Sequence, residues 1–194
     1  MRVHWLMAGF CFWVGRVGFG VVPPAAWDVE QAPASISAEA RIAPEGEPGT
    51  PLTISGTVYA PDGTTPLAGV VVYGYHTDVN GVYRVDRRYD EPPRLRGWAR
   101  TDTAGHYSFK TTRPAPYPSR AVPAHVHFHV WGPGVPRQFV EDLKFRDDPL
   151  ITPEQVAESS ARGKFATLCN PQRAPDGGQQ CTFDIRVQAQ SNFR

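Results

Sequence analysis

Short stretches of alternating apolar and polar residues dominate the chain from Leu52 onward, the period-2 signature of half-buried strands. "LTISGTVYAP" alternates and ends at the turn "PDGTTPLAG", and "VVVYGYHT" follows and ends at "DVNG". "GWARTD" and "HYSFKTT" flank "TAG", which reads as a hairpin turn; "AHVHFHVW" and "TFDIRVQ" bring the expected number of strands to at least six. One short helix is predicted, "PEQVAESS", with Thr152 as cap and Pro153 at the first helical position. Residues 28 to about 50 are polar and rich in Pro, Ala and Glu, and no internal repeat is evident. The pattern predicts an all-β protein, a β-sandwich with long loops and little helix, spanning residues 51–194 behind a linker or N-terminal arm at 35–50.

Composition supports this class. Twenty prolines and 18 glycines in 194 residues suit many turns, and the length allows one domain with a real core. The formal net charge of +1 gives no electrostatic reason to expect nucleic acid or an anionic membrane as partner. The first 27 residues form the only long apolar segment, begun by Arg2 and interrupted by Arg16, which is too broken for a membrane span. With small residues at Ala32-Pro33-Ala34, residues 1–34 are expected to be an export signal. Cys11 would leave with it, and Cys169 and Cys181 would remain as a pair around a Gly-, Pro- and Gln-rich loop. In an oxidising compartment that pair is most simply a disulfide; two unrelated buried thiols is the other reading. No CxxC pair or closely spaced histidine accompanies them, so zinc is not expected there.

The chemistry concentrates in "PAHVHFHV". Three of the chain's six histidines, His125, His127 and His129, occupy alternate positions and leave one face of a strand. Tyr117 stands between Pro116 and Pro118, which restrict the backbone on both sides of it, and Tyr83 ends the turn "NGVY". Taken singly, either tyrosine reads as ordinary packing, and two histidines at i, i+2 are not decisive. His129 lies about 6 to 7 Å further along the strand and reads as a satisfied core histidine, with a supporting hydrogen bond to a ligand as the other possibility. His76 and His106 lie beside turns and are expected at the surface.

Taken together, "GVY", "LRGWARTDTAGHYSFKTTRPAPYP" and "PAHVHF" resemble the intradiol ring-cleaving dioxygenases, the catechol and protocatechuate 3,4-dioxygenase family, over about Thr53 to Pro149. The resemblance implies a non-haem Fe(III) held by Tyr83, Tyr117, His125 and His127, matching the family's GxY, PYP and HxH ligands. Ferric iron is a hard cation, and phenolate oxygen is a hard anionic donor that neutralises it. By the same resemblance Tyr117 and His127 would be axial and Tyr83 and His125 equatorial. Tyr117 would be displaced by substrate and act as internal base. The implied reaction is O2-dependent opening of a catechol-like ring between its hydroxylated carbons, giving a cis,cis-muconate.

Two positions depart from the family pattern. The arginine of "RPAHIHF" is Val122 here, and the glutamine preceding the "FxxDP" segment is Asp142, so the substrate-facing half of the site is expected to be altered. Arg120, Arg100 and Arg96 are candidate substitutes for the missing cation. Nothing resembles the helical dimerisation region of catechol 1,2-dioxygenases, which fits a compact, exported member. Two rival functions stand beside the leading one. One is a non-catalytic β-sandwich binding module, which would tolerate loss of His125 and His127 together. The other is an iron enzyme of this fold with a different aromatic oxidation, signalled by Val122.

Overall fold

The computed structural model describes residues 32–86 and 91–192. The N-terminal apolar segment and Cys11 lie outside the described residues. Among the described residues there are eleven strands: β1 (Glu39–Arg41), β2 (Pro51–Tyr59), β3 (Val71–His76), β4 (Leu95–Arg100), β5 (His106–Thr112), β6 (His125–Gly132), β7 (Val135–Phe145), β8 (Leu168–Cys169), β9 (Gln172–Arg173), β10 (Gln179–Thr182) and β11 (Ile185–Arg186). They form two sheets. One has the order β1-β5-β2-β10-β9, with β11 also on β2; the other runs β4-β3-β6-β7-β8.

Alternation explains how the sheets meet. Leu52, Ile54 and Val58 of β2, with Tyr107 and Phe109 of β5, face Val126, Phe128 and Val130 of β6 in one buried core. Phe128 sits at its centre, with its ring 5.1 Å from that of Phe183 and 6.3 Å from that of Phe109. The odd-numbered residues of β6 therefore leave on the opposite face, which is the face that matters for function. Helix α1 (Pro153–Ala161) begins as expected: the Thr152 side chain accepts from the Gln155 N–H, and the Gln155 side chain accepts from the Thr152 N–H.

Two expectations need amendment, the hairpin and His76, and of the two readings of residues 35–50, linker or arm, the chain takes the arm. β4 and β5 are not a hairpin: β4 pairs with β3 and β5 with β2, so the "TAG" turn carries the chain from one sheet to the other. The local signal was sound, since Asp102 accepts from the Ala104 and His106 N–H groups and Gly105 adopts φ 80°. What it lacked was partner choice, which the hydrophobic faces decide. Residues 35–50 are a docked arm. β1 runs parallel to β5, Ile42 and Ala43 join the core, and Glu47 forms a paired bond with Arg94 at 2.6 Å from each oxygen. His76 is fully buried, because β3 is flanked by β4 and β6 along its whole length. Its Nδ1 lies 2.6 Å from the Thr77 carbonyl and its Nε2 2.6 Å from Thr111 Oγ1. His106 is exposed, as expected.

The Cys169–Cys181 disulfide is present, with Cα atoms 5.7 Å apart. It joins β8 of one sheet to β10 of the other, while β9 and β10 form a small antiparallel pair inside the closed loop.

Candidate metal centre

β6 places His125, His127 and His129 on the face turned away from the core. Two loops cover the first two. The loop after β3 carries Tyr83 and is shaped by Asp78, whose carboxylate accepts from the Asn80 and Val82 N–H groups. The loop after β5 carries Tyr117. The two loops interlock at Gly81, which has φ 74° and lies so close to the Pro116 carbonyl that a Cβ there would sit 2.1 Å from its oxygen. Beyond Tyr117 the chain turns sharply: the Arg120 N–H donates to the Tyr117 carbonyl at 2.7 Å, and Arg120 has a positive φ of 52°. A non-glycine residue in that region carries strain, a feature that clusters at functional sites.

Four donor atoms meet under these loops. Tyr83 Oη lies 2.6 Å from Tyr117 Oη and 2.8 Å from His127 Nε2. His125 Nε2 lies 3.1 Å from both Tyr117 Oη and His127 Nε2, which closes a ring of four contacts. The outer nitrogens determine what the inner ones can do. His125 Nδ1 is 2.7 Å from the Pro123 carbonyl, and His127 Nδ1 is 2.7 Å from Asp142 Oδ1. Both partners accept, so both Nδ1 atoms donate, and in neutral imidazoles each Nε2 then presents a bare lone pair to the centre. Two phenolic protons must serve four close contacts. The remaining two contacts set lone pair against lone pair, an arrangement that a central cation relieves. The residues present therefore fit a metal ion.

The electrostatics agree. Burial pushes the Tyr83 phenol far above its usual range, aided by Tyr117, and burial also raises Tyr117. Neither would ionise at neutral pH unaided, so phenolate ligands require the charge of the cation itself. Burial, followed by the neighbouring His127, lowers His125 and keeps its lone pair available. For Asp142, burial pushes upward but is outweighed by the His127 bond and the His127, His125 and Lys144 charges, which hold the carboxyl below its ordinary range.

His125, His127 and Asp142 offer ligand atoms within 4.8 Å of one another, a possible metal-holding group in its own right. The Asp142 oxygen, however, is engaged behind His127, on the ring nitrogen that points away from the tyrosines. Asp142 is thus placed as a supporting partner, with Tyr83 and Tyr117 completing the inward-facing set. The ring of Tyr75 closes another side, stacked on His127 at 4.7 Å between centroids. His129 is buried deeper, among Tyr73, Tyr75 and Phe139, and stands apart from the four-atom ring.

Sequence reasoning located all four residues of the ring and missed two supports. Tyr75 carries no signal beyond its place in an apolar strand. In the sequence Asp142 stands out as a departure from the family pattern and points to the substrate side, whereas its carboxylate bonds His127. Val122 lies in the loop before His125 and is 38% exposed. Arg100 sits at the end of β4 remote from His125, where it faces Val71. Arg96 pairs with Tyr75, which pairs in turn with His127, so it shares the row of the centre.

Comparison with known proteins agrees with this architecture. The profile of the family Dioxygenase_C, described as "Dioxygenase", matches residues 27–189. Catechol 1,2-dioxygenase 1 of Acinetobacter lwoffii is 34% identical over 122 residues, covering 52% of this chain and 38% of that protein. A chlorocatechol 1,2-dioxygenase of Pseudomonas putida is 29% identical over 150 residues, covering 71% of this chain and 56% of the relative. The chain thus spans about half the length of the curated relatives it matches. Among solved structures, the dioxygenase domain of a dioxygenase and carbohydrate-binding protein fusion from Streptomyces sp. SirexAA-E has a TM-score of 0.60 at 24% identity, covering 81% of this chain and 92% of that one. Hydroxyquinol 1,2-dioxygenase from Pseudomonas putida DLL-E4 also gives 0.60, at 23% identity, covering 86% of this chain and 65% of that one. Identities this low speak for a shared fold. With the family profile spanning most of the sandwich, the chain belongs to the intradiol ring-cleaving dioxygenase family.

Proposed function

We propose that the protein is a non-haem Fe(III)-dependent dioxygenase that opens a catechol-like ring between its two hydroxylated carbons with O2, giving a cis,cis-muconate-type product. The observation that carries this reading is the closed ring of two phenol oxygens and two bare imidazole nitrogens from Tyr83, Tyr117, His125 and His127. These four residues would hold the ion. When bound, ferric iron supplies a Lewis acid that favours the catecholate form and leaves its ring electron-rich toward O2. Both oxygen atoms enter the product, so no external reductant is required.

The chain's own residues have three tasks. Pro123 and Asp142 fix the tautomers of His125 and His127, so that each Nε2 lone pair faces inward. The interlocked loops at Gly81 hold the two tyrosines at one point. A catechol brings two protons; in this reading the Tyr117 phenolate takes one and hydroxide the other, and burial, which raises the Tyr117 phenol, favours its protonated form once it is released from the ion. Tyr83, likewise raised by burial and by its Tyr117 neighbour, contacts both Tyr117 Oη and His127 Nε2 and would remain on the ion.

The test is optical as well as catalytic. Iron-loaded protein should be coloured by tyrosinate-to-iron charge transfer, and Tyr83→Phe should remove much of that colour and most turnover, read by O2 uptake and product mass across a panel of catechols. A colourless protein that cannot be loaded with iron would sink the proposal. Exposed Val122, where the family pattern has arginine, favours a second reading, in which the metal site is kept and the preferred substrate is not a simple catechol.

A further inference from the structure

Asp142 reaches His127 by a local irregularity in the sheet. Between β6 and β7, Val126 pairs with Leu143 and Phe128 with Val140, so the single residue His127 is opposed by the two residues Glu141 and Asp142. Val140 and Leu143 are three positions apart, yet both pack inward. That is possible only because the extra residue resets the alternation. Such a bulge re-aims a side chain, and here it turns Asp142 onto the histidine face with its Oδ1 2.7 Å from His127 Nδ1. Tyr75, stacked on the same ring, leaves His127 little freedom to turn away.

We propose that Asp142 is a charge-balancing and positioning partner of His127 that makes the centre selective for a trivalent over a divalent cation. The inference rests on reading the four-residue ring as a metal site. Two phenolates, Tyr83 and Tyr117, bring two negative charges, and the Asp142 carboxylate, transmitted through the imidazole, brings a third. Three negative charges balance Fe(III) within the protein itself, whereas a divalent ion leaves the centre one charge in excess. A glutamine at this position, as in the family pattern, would orient the ring without contributing charge. The Val122 and Asp142 departures then belong to different halves of the site, one to substrate and one to metal.

Redox-inert ions separate charge from positioning. Affinities for Ga(III) and Zn(II), measured by chelator competition, should both fall in Asp142→Asn, on the order of 10- to 100-fold for an outer-shell partner of a ligating histidine. The loss for Ga(III) should exceed that for Zn(II) by about tenfold, because the interaction scales with the charge of the ion. Asp142→Gln, also neutral and with longer reach, should show the same change in the Ga(III)-to-Zn(II) ratio. In iron-loaded protein both variants should raise the Fe(III)/Fe(II) midpoint potential. Equal losses for the two ions, or no loss for either, would overturn the proposal. Wild-type protein that binds neither ion would instead sink the metal reading itself, and this inference with it.

Discussion

A histidine's surroundings decide whether it is a ligand, a switch or a filler, and this chain holds all its β6 histidines on one face with different fates. His125 and His127 have acceptors on their outer nitrogens and lone pairs turned inward; His129, one step further along, is walled in by rings. His76, read from sequence as a surface residue, is buried between two threonines, and burial pushes its pKa from 6.5 down to about 4. The sign follows directly. Between these values the unfolded chain binds a proton that the folded protein does not, so stability is full above about pH 6.5 and is lost as the pH falls toward 4. The expected loss is on the order of 3 kcal/mol across that window. Urea denaturation of metal-free protein at pH 7 and pH 5 checks it: His76→Gln should flatten the wild-type pH slope, and parallel slopes would refute the assignment. At the substrate side, Val122→Arg restores the cation of the family pattern. If Val122 limits ordinary catechol cleavage, kcat/KM for unsubstituted catechol should rise about tenfold or more, the scale of one added charge interaction. An unchanged rate, with wild type already efficient, would remove the case for an unusual substrate.

Elements were legible wherever a single strand carried its own pattern. β2, β3, β6 and the capped helix α1 lie where alternation and capping chemistry put them. The "TAG" turn shows the boundary of that legibility, since a good turn joins two strands without saying which sheet each enters. The bulge at His127 shows it more sharply. Nothing in "VEDLKF" announces an extra residue, because a bulge exists only relative to a partner strand. The disulfide is the strongest long-range tie among the elements, linking the two sheets and holding β8 on the end of β7 that follows Asp142. Replacing Cys169 and Cys181 together with serine should cost roughly 3 kcal/mol, measured by denaturant titration, on the chain-entropy account of a loop this short. An equal midpoint in the variant would mean that the bridge contributes nothing. Held as a disulfide, both cysteines should stay unlabelled on alkylation and become labelled only after reduction and unfolding.

For the whole molecule, the fold and family follow from observations that agree at every level, while the compartment is our inference. Among the described residues, no helix is long and apolar enough to cross a membrane. The disulfide supports export, since such bonds persist in oxidising compartments and are rare in reducing ones. Intact mass and N-terminal sequencing of protein from its native source check this: the expected product begins beyond the apolar segment and carries a Cys169–Cys181 bridge. A chain starting at Met1 with two free thiols would contradict it. The sequence by itself determined the all-β class and the helix cap, and its motifs named the four residues that the structure brings together, because each rests on short-range periodicity or on motifs whose residue types carry the chemistry. Only the tertiary structure decided which strands share a sheet, that the arm docks, that His76 is buried, and that Asp142 serves His127. These depend on contacts between segments distant in the chain, where packing of opposed faces, rather than any local preference, selects the partner.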